Sequence, residues 1–238
     1  MSPESNHYFT SPTKPPKKLK KMFVSVAGQP LSLQTTPQVF CPDGIDKGTE
    51  LLLENLLVPA VDQTQAILDL GAGYGPIAIW LNKKYALDHQ LSPQNPTIPK
   101  IYAAEVNERA IWLLNRNILA NNCDQIEILK GDFAQSQELL EQRQIRFDVV
   151  YSNPPLKVGH EKLLELFEVA FSRLQPHGFV QYVHKKKLGA PGFLKKLQAL
   201  RPNWEWGIYK KSAGYHIIIM APNKLPYTNA PSRLSGYF

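Results

Sequence analysis

The chain has 238 residues, 43% of them hydrophobic, and a formal net charge of +7. That length suits one α/β domain with extensions or at most two small domains, with apolar residues enough for a sizeable core. No apolar run approaches the roughly 18 residues of a membrane span, the N-terminus lacks the apolar core of a signal peptide, and Cys41 and Cys123 form no metal or disulfide pattern, so a cytoplasmic protein without a metal site is expected.

The charge is unevenly placed. Lys14, Lys17, Lys18, Lys20 and Lys21 crowd the start of the chain. From Lys185 onward come Lys186, Lys187, Lys195, Lys196, Arg201, Lys210, Lys211, Lys224 and Arg233, against Glu205 alone. Two basic ends around a balanced middle suit a polyanion such as RNA.

Residues 1–21, rich in Pro, Ser and Lys, predict a flexible basic arm. Met22–Ala27 and Leu31–Thr35 alternate around Gly28-Gln29-Pro30, which predicts a hairpin within residues 22–36. The segment Gln38–Thr49 is small and polar and fits either a pocket wall or a plain loop. Asp46 can cap the helix that follows, whose apolar face is Leu52, Leu53, Leu56 and Leu57.

The chain is organised around Asp69-Leu70-Gly71-Ala72-Gly73-Tyr74-Gly75-Pro76. One apolar run, Ala66–Leu68, precedes it and another, Ile77–Leu81, follows, so a strand, a glycine-rich turn and a helix to about Tyr85 are expected. The G-x-G-x-G spacing differs from the G-x-G-x-x-G of dinucleotide-binding proteins, and Pro76 stands where the third glycine would fall. Proline suits the first turn of a helix but removes an amide donor that a pyrophosphate would use. A nucleoside without phosphates, with S-adenosylmethionine (SAM) foremost, is the expected ligand.

Residues 88–99, with three prolines, predict a surface loop. Lys100–Glu105 is the next strand, and Asn107 can cap a helix over Glu108–Asn121. An acid such as Glu105 at this strand end is where nucleoside-binding α/β folds hold ribose hydroxyls. A third strand, Gln125–Leu129, leads to Asp132-Phe133. Asp132 can cap a helix around Gln135–Gln142, accept from an adenine amino group beside Phe133, or do both. A fourth strand, Phe147–Tyr151, ends in Ser152-Asn153-Pro154-Pro155-Leu156. A helix, a strand at Phe179–His184, a helix near 190–200, and an antiparallel pair, Trp204–Tyr209 with Tyr215–Met220, follow. Residues 222–238 predict an extended tail. Alternating strands and helices predict a doubly wound, mostly parallel sheet with an antiparallel C-terminal edge.

Asn153-Pro154-Pro155 carries the chemistry. Two prolines stiffen the backbone and delete two donors, which leaves the Asn153 side-chain oxygen and the Pro154 carbonyl as fixed acceptors. Two acceptors suit a planar NH₂ group. Accepting both hydrogens draws the nitrogen towards a tetrahedral shape and frees its lone pair for attack. Positioning in line is then most of the catalysis, worth several kcal/mol.

Asp69–Pro76, Glu105, Asp132 and Asn153–Leu156 together resemble a class I SAM-dependent methyltransferase of the amino-methylating N-P-P group. Phe40–Leu53, with its D-x-G-T, and Asn153–His160 are similar to segments of the RsmC-like "methyltransferase small" family. Lys186–Ala190 and Lys211–Tyr215 resemble single-domain archaeal members. The likeness covers about residues 22–221. It implies a Rossmann-like, seven-stranded sheet, with residues 1–21 and 222–238 outside the domain. It implies Asn153, Pro154, Pro155 and Leu156 as catalytic residues. It implies SAM contacts from Asp69, Gly71, Ala72, Gly73, Gly75, Glu105, Val106, Asp132 and Phe133, and from Asp46, Gly48 and Thr49. By the same likeness the target is RNA, with guanine N2 in small-subunit ribosomal RNA foremost. Three departures stand out. Bacterial relatives carry a duplicated N-terminal domain not found in these residues. Leu156 stands where an aromatic is common, and Ala72 replaces a usual Cys or Ser. Adenine N6, a protein glutamine amide, and a non-catalytic RNA-binding role are the alternatives.

Overall fold

A computed structural model of the chain describes residues 18–91 and 98–223. Most of the expected arm, residues 92–97 of the expected loop, and the tail from 224 lie outside the described residues. Strand β1 (Lys20–Val26) already includes Lys20 and Lys21, which the sequence assigned to the arm. It pairs antiparallel with β2 (Gln29–Thr35), and Ala27 and Gly28 at the turn both take positive φ. Two positive φ values match the twist a two-residue hairpin requires.

The main unit follows as α1 (Lys47–Leu53), β3 (Ala66–Leu70), α2 (Pro76–Leu91), β4 (Lys100–Glu105), α3 (Glu108–Ala120) and β5 (Ile126–Lys130). Then come α4 (Gln137–Gln142), β6 (Phe147–Ser152), α5 (His160–Ser172), β7 (Leu174–Lys185), α6 (Ala190–Leu200), β8 (Glu205–Ser212) and β9 (Tyr215–Ala221). Seven strands form one sheet in the order β5-β4-β3-β6-β7-β9-β8. All neighbours from β5 to β7 are parallel, and β9 runs antiparallel to both β7 and β8. This is the expected α/β, Rossmann-like seven-stranded sheet, mostly parallel with an antiparallel C-terminal edge.

Each strand divides its side chains between two cores, as a period of two requires. Ile67, Ile101, Val149 and Ile217 face the layer built from the hairpin and α1–α3. Leu68, Tyr102, Val150 and Ile218 face the layer of α4–α6. Parallel strands covered on both faces read as near-continuous apolar runs, which is why they were legible.

Several boundaries moved. Helix α1 ends at Leu53, so Leu56 and Leu57, expected on its apolar face, lie beyond it. Helix α2 continues past Tyr85 to Leu91, helped by an i,i+4 ion pair of Lys84 with Asp88. A single 3-10 turn, Phe133–Gln135, precedes α4, which starts only at Gln137. Strand β7 opens at Leu174, five residues early, because its pairing with β6 shifts register between Phe147 and Val149.

Chain order reverses where β3 meets β6: β4 and β5 lie on one side of β3, and β6 and β7 on the other. Ligands of open α/β sheets sit in the crevice at such a point. The glycine turn follows β3 and the Asn-Pro-Pro segment follows β6, so topology alone makes them neighbours.

Candidate active site

The glycine turn uses positive φ at Gly71 (80°), Gly73 (60°) and Gly75 (96°), conformations that L side chains strain to reach. Its amides are spent inside the protein. Gly71 and Ala72 both donate to the Ala104 carbonyl at 3.0 Å. Gly73 donates to Glu105 Oε2 at 2.7 Å, and Gly75 donates to the Ala72 carbonyl at 3.0 Å. These four N–H groups are already bonded within the protein, so they do not form a phosphate cradle. The turn suits a ligand that brings its own donors, as the amine and hydroxyls of SAM do. Packing constrains Gly75 as well, because a Cβ there would meet Leu114 Cδ1 at 2.4 Å.

Glu105 joins the turn to the end of β4. Its Oε1 accepts from the amides of Val106 (2.9 Å) and Asn107 (2.8 Å), and its Oε2 accepts from Gly73. Burial raises its pKa, and these backbone donors oppose the rise. Three of about four lone-pair directions are taken. Holding two ribose hydroxyls therefore requires sharing one of those bonds. Asp69 lies beneath the turn, fully buried, and its Oδ2 accepts from the Ala78 amide at 3.0 Å. Its Oδ1 has no partner among the described residues. Burial, and then the nearby charge of Glu105, push Asp69 up to about 7.

Asp132 caps the 3-10 turn and not the expected helix: its Oδ1 accepts from Ala134 N at 3.0 Å. Its Oδ2 takes a 2.6 Å ion pair from Lys162 of α5, a partner the sequence did not suggest. Phe133 is buried in the α4–α6 core.

The Asn-Pro-Pro segment meets the glycine turn directly. Pro155 Cδ lies 3.3 Å from where a Cβ on Gly71 would stand, and Ser152 Oγ donates to the Leu70 carbonyl at 2.6 Å. Asn153 Nδ2 donates at 2.8 Å to both Asp46 Oδ2 and Thr49 Oγ1. Asp46 Oδ2 already accepts from the amides of Gly48 and Thr49 as the cap of α1, so it is an acceptor and must face the Asn153 nitrogen. That fixes the amide's rotation. Both its hydrogens are consumed, and Oδ1 is left without a partner among the described residues. Pro154 and Pro155 carry no N–H. Leu156 opens a 3-10 turn and packs, half-buried, on the α4–α6 core.

Asp46, Gly48 and Thr49 were expected at the cofactor; their bonds in this structure run to Asn153 and to the first turn of α1. Two further supports escaped sequence analysis. Asn117 of α3 is fully buried, accepts from Gln34 N at 2.7 Å, and donates to the carbonyls of Gln34 (3.1 Å) and Tyr74 (2.8 Å). It ties the hairpin to the glycine turn. Tyr215, first residue of β9, sets its ring 3.0 Å from the Cβ position of Gly48, against the Asn153 network. Asn117 and Asn121 at helical spacing on α3 were a visible signal; Tyr215 was visible only as the last residue of the family-like segment Lys211–Tyr215. A separate cavity of about 440 Å³ between the hairpin and the end of α3 lies away from these strand ends.

A family model, the methyltransferase small domain, matches residues 30–217. An uncharacterised Bacillus subtilis protein, YbxB, is 30% identical over 90% of this chain and 97% of its own length. Ribosomal RNA small subunit methyltransferase C of Pseudoalteromonas translucida is 29% identical over 74% of this chain and 45% of itself. Release factor glutamine methyltransferase of Aliivibrio fischeri is 26% identical, with 65% and 49% covered. The chain thus spans about half the length of the named methyltransferases it matches. Among solved structures, the T. thermophilus 16S rRNA N2 G1207 methyltransferase (RsmC), in complex with AdoMet and guanosine, superposes with a TM-score of 0.68. The identity is 22%, over 87% of this chain and 52% of that one. The four strand-end loops, the sheet order and the family match agree, and the chain belongs to the methyltransferase small domain family of SAM-dependent methyltransferases.

Proposed function

We propose that this protein methylates an exocyclic amine of an RNA base, with guanine N2 in small-subunit ribosomal RNA as the foremost target, in the cytoplasm. The observation that carries it is the fixed amide of Asn153. Asp46 and Thr49 hold both amide hydrogens, so Asn153 Oδ1 is presented as an acceptor at the rim beside the glycine turn. With the Pro154 carbonyl it can take the two hydrogens of a planar amine and turn its lone pair outward. SAM supplies a methyl group on a sulfonium, a good leaving group. The residues that would hold it are Glu105 for hydroxyls, Asp132 for an amino group, and the glycine turn for the rest. The amine loses its extra proton after transfer, so no strong base is needed beforehand.

Small-subunit ribosomal RNA methyltransferases among the relatives support this target. The glutamine methyltransferase relative supports a second one, because a side-chain amide presents the same planar NH₂. The domain we assign to this activity is residues 22–221. Incubation with labelled SAM and total RNA tests the proposal, with nucleoside mass spectrometry to identify the product. N2-methylguanosine is the expected product; label in protein alone overturns the proposal. Asn153→Ala should cut turnover at least about 100-fold while SAM affinity stays within about twofold.

A further inference from the structure

The C-terminal hairpin turns back at the same rim as Asn153. Lys185 ends β7 and pairs in register with Tyr215; the Lys186 amide donates to the Gly214 carbonyl at 2.8 Å. Lys211 of β8 lies opposite His216. Thus two connections, one after β7 and one between β8 and β9, put Lys185, Lys186, Lys187, Lys210 and Lys211 at one end of the sheet, with Lys210 and Lys211 on opposite faces of β8. All five are exposed. Among the described residues, none pairs with a carboxylate. Lys185 Nζ sits 5.6 Å over the Tyr215 ring. Burial first, and then the charges of Lys211 and Lys186, hold the His216 imidazole below its ordinary pKa. Glu205, the lone acid of the region, pairs with Ala221 at the far end of β8.

We propose that these five lysines form one phosphate-gripping rim for the RNA strand that flanks the target base. This rests on the RNA assignment above. A base delivered to Asn153 drags its neighbouring phosphates across the nearest part of the rim. Tyr215 spans the distance: its ring touches the Gly48 position on one side and carries Lys185 on the other. A cluster of lysines with no internal anion to neutralise it is built to release counterions on binding a polyanion.

The test compares two variants of the full chain for binding deproteinised small-subunit ribosomal RNA over a range of salt. In the first, Lys186, Lys187 and Lys211 all become Gln. In the second, Lys100→Gln with Arg146→Gln removes charge from the N-terminal ends of β4 and β6, at the opposite end of the strands from Asn153. Each lost phosphate contact lowers the log–log salt slope by about 0.7 to 0.9, so the triple variant should lose about 2 and bind at least about tenfold more weakly. Its SAM affinity and circular dichroism should match wild type, which shows that it is folded. KM for RNA should rise with kcat retained, and the control pair should leave the slope unchanged. If the triple variant keeps the wild-type slope, or the control pair loses as much per charge, the rim is refuted while the RNA assignment stands. If wild type neither binds nor methylates RNA but labels protein, both fall together.

Discussion

The carboxylate of Asp46 accepts from the side-chain amide of Asn153 at 2.8 Å, across 107 residues of sequence. One oxygen therefore caps a helix and sets the rotation of the group proposed to hold the substrate. Thr49→Val removes one of the two acceptors with little change of shape. It should lower kcat about 10- to 100-fold with SAM affinity unchanged, because misplacing a positioning group costs rate before binding. Asp46→Ala should do the same and lower stability by about 1 kcal/mol for the lost cap. Steady-state kinetics with calorimetry for SAM check this. A raised Kd for SAM with normal kcat would instead make these residues cofactor contacts.

Gly75 joins two constraints, a positive φ and a Leu114 methyl 2.4 Å from any Cβ. Gly75→Ala should destabilise the fold by about 2 to 4 kcal/mol, since overpacking and backbone strain add. Adding Leu114→Ala should recover only the overpacking share. Denaturant melts of the single and double variants measure both.

Asp69 gives a pH dependence of unusual sign for an acid. Its ordinary value is 3.8, and the fold raises it to about 7. Between those values the native state holds a proton that the unfolded chain has released. Stability from this group therefore falls as pH rises from about 4 to about 7, by up to about 1.4 kcal/mol per pH unit, and is level outside that window. Asp69→Asn cannot titrate, so the stability difference between it and wild type should change across the window and be constant above pH 8. Urea melts at several pH values test this; a difference that stays flat throughout would show that Asp69 is ionised in the fold.

Asn117 serves three backbone groups at once, two on Gln34 and one on Tyr74. Asn117→Ala leaves them unsatisfied, the Tyr74 carbonyl in the interior, and should cost about 2 to 4 kcal/mol. It should also weaken SAM binding, because the glycine turn loses its tie to α3. Asn117→Asp tests the chemistry: it keeps the acceptor for Gln34 N and loses both donations. Should the alanine variant bind SAM normally, the turn holds its shape without the hairpin.

The sheet was legible because buried parallel strands are continuous apolar runs with turn residues between them. Gly71, Glu105, Asp132 and Asn153 were legible as strand ends, since each breaks such a run. What stayed hidden was who holds whom. Lys162 reaches Asp132 from 30 residues away and Tyr215 reaches Gly48 from the last hairpin, and no local period encodes either contact. Asp46 was placed correctly as a cap, but its bond to Asn153 depends on a residue far along the chain. The start of α4 was misplaced because Asp132 caps a tighter turn with the same side chain.

The inward bonding of the turn amides bears on inhibitor chemistry. Adenine nucleotides would bring anionic tails to a turn whose amides at Gly71, Ala72, Gly73 and Gly75 are already bonded within the protein. A screening library should therefore be weighted away from phosphate and other anionic tails.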